Sequence, residues 1–225
     1  MGKRHIFLLG LIFVLGCGGD VEKKVDTAHM VSDFAATRNK NSVICSAAFH
    51  ENSRAGAFLE LTGGDQVWCQ GNMMVKKQDA KTIWYETEVA LEQNEQYTLS
   101  FRRPGEKPYL ALVSLPSAVK ILKPHQGEKL EKGRDITIEV TPGEKNLDTT
   151  VLHFNKNEDG VIEPHSDKTA GDVTSHKIDR SHTNTKGSGA VAEIIIKRMR
   201  AGTQPTALTG NTWGFSVDKI NIELQ

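Results

Sequence analysis

The sequence predicts an all-β protein built as two tandem β-sandwiches, and three observations carry that prediction. Between residues 41 and 115 apolar side chains recur with period two, in short runs broken by Gly, Pro, Asn and Asp. After Pro116 a second set of alternating runs begins and continues to residue 224. At 225 residues the chain exceeds the common single-domain length of about 100–150 residues, so each half can bury a modest core of its own.

The chain opens with Lys3 and Arg4, the apolar run Ile6 to Leu15, and then Val14-Leu15-Gly16-Cys17. Ten apolar residues are too few to span a bilayer, and a basic start followed by a short apolar stretch has the form of a secretory signal. The four residues resemble the lipobox of bacterial lipoproteins, with Val14 where Leu is commoner. The resemblance implies a signal peptide over residues 1–16, cleavage before Cys17, and diacylglycerol and N-acyl lipid on Cys17. A plain secretory signal or an uncleaved anchor is the alternative. N-myristoylation at Gly2 is excluded, because Ile6 stands where Ser or Thr is required. Lipid adds about 0.8 kcal/mol of membrane affinity per buried methylene, so three acyl chains would hold the protein permanently. In such lipoproteins Asp after the lipidated Cys favours inner-membrane retention. Gly18 and Gly19 follow here, which points to the outer membrane.

Removing residues 1–16 leaves 209 residues with 26 basic and 28 acidic side chains, a net charge of about minus two. The two signs are interspersed, with no basic stripe of the kind that binds nucleic acid. Residues 17–40 are polar and lack alternation, so they read as a lipidated Cys and flexible tether; Met30, Val31, Phe34 and Ala35 could form a helical turn or two.

In the first module, residues 41–115, strands are expected near 42–50, 56–62, 66–70, 73–76, 82–90, 96–103 and 108–115. Gly63-Gly64-Asp65, Gln70-Gly71-Asn72 and Pro104-Gly105 mark the turns. Cys45 shares a strand face with Val43, Ala47 and Phe49, and Cys69 shares one with Val67, so both thiols should point inward. A Cys45–Cys69 disulfide would contribute roughly 3–4 kcal/mol in the chain-entropy model. A redox or metal role is disfavoured, since there is no Cys-x-x-Cys spacing and no His beside either thiol. Glu92 to Tyr97, followed by Leu99 and Phe101, resembles the corner before strand F of immunoglobulin-like and fibronectin type III domains. That resemblance implies that the Tyr97 hydroxyl returns to the backbone of the turn.

The second module, residues 116–225, opens with Ile121-x-x-Pro124-x-x-Gly127-x-x-Leu130-x-x-Gly133 and then Ile136-Thr137-Ile138-Glu139-Val140. This resembles the first hairpin of bacterial immunoglobulin-like modules, with Leu130 packing inward. Further strands are expected at 149–155, 173–179, 190–199 and 213–224, with Trp213 and Phe215 closing the core. The Ser-, Thr-, Lys- and Gly-rich stretch 164–189 reads as a long flexible excursion suited to contacting a partner.

Catalytic patterns fail on spacing. His50-Glu51-Asn52-Ser53-Arg54 lacks the second His of a zincin helix, Gly187-Ser188-Gly189 lacks the spacing of a nucleophile elbow, and no phosphate-cradling loop occurs. Two metal readings remain. Asn155, Asn157 and Asp159 with Gly160 follow a calcium loop for eight positions, but Ser166 replaces its bidentate Glu, and the same residues also read as a hairpin tip. His153, His165, His176 and His182 could supply zinc ligands, yet no two are spaced to share one element, and solvated loop histidines are the competing reading.

The lipobox, the tether and the two modules together resemble two-module Gram-negative lipoproteins with immunoglobulin-like domains. The residues that carry this are Ala57 to Asp65, the Tyr97 corner and the Ile121 to Gly133 opening. The expected function is a non-catalytic, lipid-anchored cell-envelope module that binds a protein partner or serves a structural role, without nucleic acid and without a catalytic residue. A divalent-metal lipoprotein and an envelope hydrolase with an unrecognised site are the alternatives.

Overall fold

The computed structural model describes residues 26–144, 147–156, 162–170, 174–184, 190–205 and 208–225. After a 3-10 turn at Thr27–His29 come β1 (Met30–Asn39), β2 (Ser42–Glu51), β3 (Gln66–Cys69) and β4 (Asn72–Met73). Then follow β5 (Val75–Gln78), β6 (Ile83–Ala90), β7 (Gln96–Arg102) and β8 (Tyr109–Ser114). The second half forms β9 (Ile121–Lys123), β10 (Lys129–Leu130), β11 (Ile136–Val140), β12 (Asp148–Lys156), β13 (Ile162–Ala170) and β14 (Ser175–Ile178). A single turn of helix, α1 (Arg180–Thr183), precedes β15 (Ala190–Ala201) and β16 (Thr209–Leu224).

One nine-stranded sheet runs through both halves in the order β13-β12-β15-β16-β1-β2-β6-β5, with β10 also paired to β16. Phe34 lies beside Thr212 in the parallel β1–β16 ladder and opposite Ala47 in the antiparallel β1–β2 ladder, so these positions share one face. On that face the four-stranded sheet β4-β3-β7-β8 covers one end and the three-stranded sheet β14-β11-β9 the other. The first core joins Phe34, Ala36, Cys45 and Phe49 to Val67, Leu99, Phe101 and Val113. The second joins Ile194, Ile196, Ile220 and Ile222 to Ile136, Ile138 and Ile178. The protein is thus all-β with two sandwiches, and the 16-residue β16 serves both.

The Cys45–Cys69 disulfide links β2 to β3 and therefore staples the two sheets of the first sandwich; both residues are fully buried. Reduction, or Cys45→Ala with Cys69→Ala, is expected to remove about 2–4 kcal/mol of stability, read as a lower urea midpoint. An unchanged midpoint would deny the crosslink its stabilising role. Tyr97 makes the expected corner: its hydroxyl accepts from the Glu92 N–H at 2.8 Å and donates to the Ala90 carbonyl at 3.4 Å.

Several expectations are corrected. Residues 30–39, assigned to the 17–40 tether and read as a turn of helix, form β1, a central strand buried on both faces along Met30 to Ala36. Small side chains, Ser32, Ala35 and Ala36, leave no alternation for a reader to see. Residues 56–62 form no regular strand; the segment touches β2 through an isolated bridge between His50 and Phe58. The run 73–76 is split where the chain passes from the four-stranded to the nine-stranded sheet at buried Met74. The Ile121 opening is not a hairpin, because β9 pairs with β11 and β10 with β16. Most of 164–189 that is described is ladder, in β13 and β14; β13 is an edge strand, where polar side chains are tolerated and mimic a loop. Trp213 and Phe215 fall on the opposite face of β16 from Ile220 and Ile222, so they do not close the second core.

Candidate functional site

The solvent face of the four-stranded sheet is where apolar surface gathers. Alternation turns Tyr97, Leu99 and Phe101 of β7 and Ala111 and Val113 of β8 into the core. The same alternation turns Leu110 and Leu112 outward, where they are 57% and 43% exposed. Trp68 faces outward between the buried Val67 and Cys69, and Met73, opposite it, is 51% exposed. The registers set Met73, Trp68, Ser100 and Leu110 side by side in a row that crosses all four strands, about 14 Å at the usual strand spacing.

Polar groups frame this row. The Arg102 guanidinium lies 4.7 Å from the centroid of the Trp68 ring, and Trp68 Nε1 donates to Gln66 Oε1 at 3.2 Å. Gln70 bridges to β7, donating to the Gln96 carbonyl at 3.3 Å and accepting from the Thr98 N–H at 3.2 Å. The edge of the sheet is partly closed, because Leu112 and Thr203 exchange backbone hydrogen bonds of 3.2 and 2.8 Å. The open feature is therefore the side-chain surface, an aromatic ring, a thioether and two leucines with one cation. Aromatic, Met and Arg side chains are the types enriched at protein–protein interfaces.

A second cluster lies on the back of the nine-stranded sheet. Asp33 of β1, buried, sits between Ala48 of β2 and Asn211 of β16. Arg54, from the turn after β2, folds back and grips it, with Nε 3.0 and 3.1 Å from the two carboxylate oxygens and Nη2 2.6 Å from Oδ1. The Asn211 backbone N–H donates to the same Oδ1 at 3.2 Å. His50 Nε2 is 3.8 Å from Asp33 Oδ2, and its ring packs on Phe58 at 4.4 Å between centroids. The Arg54 fork engages both Asp33 oxygens, so this geometry fastens residues 52–58 to the sheet.

Burial pushes the His50 pKa below its ordinary 6.5, against the upward pull of Asp33. The unfolded chain therefore binds the His50 proton more readily than the fold does. The contribution to stability is complete above about pH 6.5 and is lost as pH falls from there toward the lower folded value. Urea midpoints from about pH 7.5 to pH 5 should fall more for the parent than for His50→Gln. Parallel curves would contradict the assignment.

The other sequence-derived candidates are dispersed. Cys17, Asn157 and Asp159 lie outside the described residues. His153 and Asn155 are on β12, His165 on β13, His176 on β14 and His182 on α1. Among the described side chains no three of His, Cys, Asp and Glu gather as a metal site, and among the described helices none is long and apolar enough to cross a membrane. Sequence reasoning missed the Asp33 clamp, which was hidden in the supposed tether. It also missed the Trp68 face, although Tyr109 to Val113, apolar at every position, signals a strand with apolar groups on both faces.

No family model matches the chain, and no curated protein matches its sequence. Solved structures do match it. The fibronectin(III)-like modules of Clostridium thermocellum CbhA are 13% identical, covering 87% of this chain and 90% of theirs, with a TM-score of 0.28. The adhesin InvE of Yersinia pseudotuberculosis is 11% identical, covering 89% of this chain and 60% of its own, with a TM-score of 0.26. The paired IG1 and IG2 domains of DIP-gamma are 10% identical, covering 87% and 95%, with a TM-score of 0.24. At these values the likeness assigns neither a function nor a partner.

Proposed function

We propose that this chain is a non-catalytic, lipid-anchored module of a bacterial cell envelope that docks a protein partner through the open face of its four-stranded sheet. The observation that carries the reading is the row Met73, Trp68, Ser100 and Leu110, with Leu112 beside it and Arg102 over the indole. A hydrogen-bonded sheet holds this row, so docking orders few side chains and the entropic cost of binding is reduced. The anchor half of the reading rests on Val14-Leu15-Gly16-Cys17, and Gly18-Gly19 favours the outer membrane.

The docking face is tested by placing a photo-crosslinking side chain at Leu110 of the full chain, in the cells that make it, with Lys132 as the control position. A discrete protein adduct from Leu110, absent at Lys132 and lost with Trp68→Ala, is the expected result. Trp68→Ala should weaken the complex by about 2 kcal/mol or more while leaving the circular dichroism spectrum unchanged. No adduct from Leu110, or equal adducts from both positions, would sink the docking face. The anchor is tested separately: Cys17→Ser should abolish incorporation of labelled palmitate and release the protein from membranes.

A further inference from the structure

We propose that Lys197 is a covalent acceptor site for alkyl and aryl aldehydes, forming an imine through its ε-amine on the back of the nine-stranded sheet. Its neighbours on β15, Ile196 and Arg198, are buried and face the second core and the Thr141 carbonyl, so alternation turns Lys197 to the opposite face. That face is apolar around it. Ile195 and Met199 flank it on β15, and the β15–β16 ladder sets Val217 directly opposite Lys197 and Phe215 opposite Met199. Ile195 is fully buried and Phe215 is only 4% exposed, whereas Lys197, Met199 and Val217 are half-buried, which leaves the amine within reach of solvent.

Among the described side chains no carboxylate pairs with Lys197; its Nζ stands 3.7 Å from the centroid of the Phe215 ring instead. The charged pair that shares this face is closed on itself, with Lys219 Nζ 2.8 Å from Glu193 Oε1. On β12 the positions registered against Lys197 and Ile195 are Thr150 and Leu152, and on β1 Thr37 is registered against Phe215, all uncharged residues. Asp148, registered against Met199, is the nearest acidic position on β12.

Burial without a compensating charge lowers the Lys197 pKa from its ordinary 10.5 to about 8. At pH 7.5 roughly a quarter of such amines are unprotonated, against about one in a thousand for an exposed lysine. Only the unprotonated amine has the lone pair that attacks a carbonyl carbon. Attack forms the C–N bond of a carbinolamine as the first amine proton moves to the carbonyl oxygen; the hydroxyl then leaves as water with the second, and a C=N bond remains. No oxidant or reductant is consumed. The imine is neutral, so the surface that penalises the ammonium favours the product, and Met199 and Val217 offer apolar area to the hydrocarbon part of the aldehyde. This site is independent of the docking face and of the anchor.

The test uses the full chain carrying Cys17→Ser, treated at about pH 7.5 with hexanal and cyanoborohydride, which reduces each imine to a stable hexylamine. Peptide mass spectrometry then gives the labelling rate of each lysine. Lys197 is expected to react at least tenfold faster than Lys123, whose side chain is 61% exposed beside Glu139. That excess should shrink above about pH 8, because only Lys123 then has protons left to lose. Val217→Glu places a carboxylate opposite Lys197, restores the ammonium and should slow Lys197 at least fivefold; Val217→Gln, without the charge, should not. Melting temperatures report folding, and the pH dependence of the parent carries the comparison if a Val217 variant does not fold. Lys197 no faster than Lys123, an excess that persists unchanged above about pH 8, or equal rates in Val217→Glu and Val217→Gln would overturn the site.

Discussion

A chain that starts at Lys40 is expected not to form the first sandwich. Read as a tether, residues 17–40 would be dispensable; in the structure β1 is the strand that joins the two halves of the nine-stranded sheet. It pairs with β2 from Met30 to Asn39 and with β16 from Val31 to Arg38. Its Phe34 is fully buried, with the Phe49 ring 6.0 Å away in an edge-on contact, and Met30 and Ala36 lie in the same core. Deleting it removes two backbone ladders and opens the edges of β2 and β16. It also exposes Phe49 and Ala47, where one buried Phe alone is worth roughly 1.5–3 kcal/mol. Losses of this kind are a large fraction of the usual 5–15 kcal/mol of a whole domain. Circular dichroism and urea unfolding of the truncated chain should show no cooperative transition for the first sandwich. A cooperative transition with the parent midpoint would restore the tether.

Asp65→Ala should cost about 3–5 kcal/mol. Asp65 and Arg103 form a bidentate pair, with Nε 3.1 and 3.2 Å and Nη2 2.7 Å from the carboxylate oxygens. Their side chains are only 2% and 6% exposed. The carboxylate raises the Arg103 pKa further by hydrogen bonding, and the guanidinium also rests 5.5 Å from the centroid of Phe101. Removing Asp65 leaves a buried cation without its counter-charge, a far greater penalty than loss of an exposed pair such as Lys123–Glu139. The double variant Asp65→Ala with Arg103→Met should recover much of the loss, because an apolar replacement needs no counter-ion. A denaturant-midpoint cycle measures both. If the double variant is no more stable than Asp65→Ala, the penalty has another source.

The strands with clear alternation were legible from residues alone. β2, β6, β7, β8 and β11 lie where period two places them, since one face of each meets a core and the other meets solvent or a polar layer, while β15 is covered on both faces at its centre, where Ile194, Ile195 and Ile196 are all buried. The inward pairing of Cys45 and Cys69 was legible for the same reason. β1 was not, because a central strand covered on both faces has no polar face to reveal its period. β13 was not, because an edge strand can be polar throughout. Asp33 and Arg54, 21 residues apart, meet only because β1 and β2 fold back on each other.

The order of alternating segments, the inward cysteines, the Tyr97 corner and the lipobox-like start were determined by the sequence itself, since each depends on residues near one another in the chain. Tertiary structure alone decided that one long sheet serves both sandwiches, that Trp68 and Leu110 share an open row, and that Val217 stands opposite Lys197. The physical reason is register: which residues face each other across a ladder depends on how distant strands pair, and chain spacing carries no record of it.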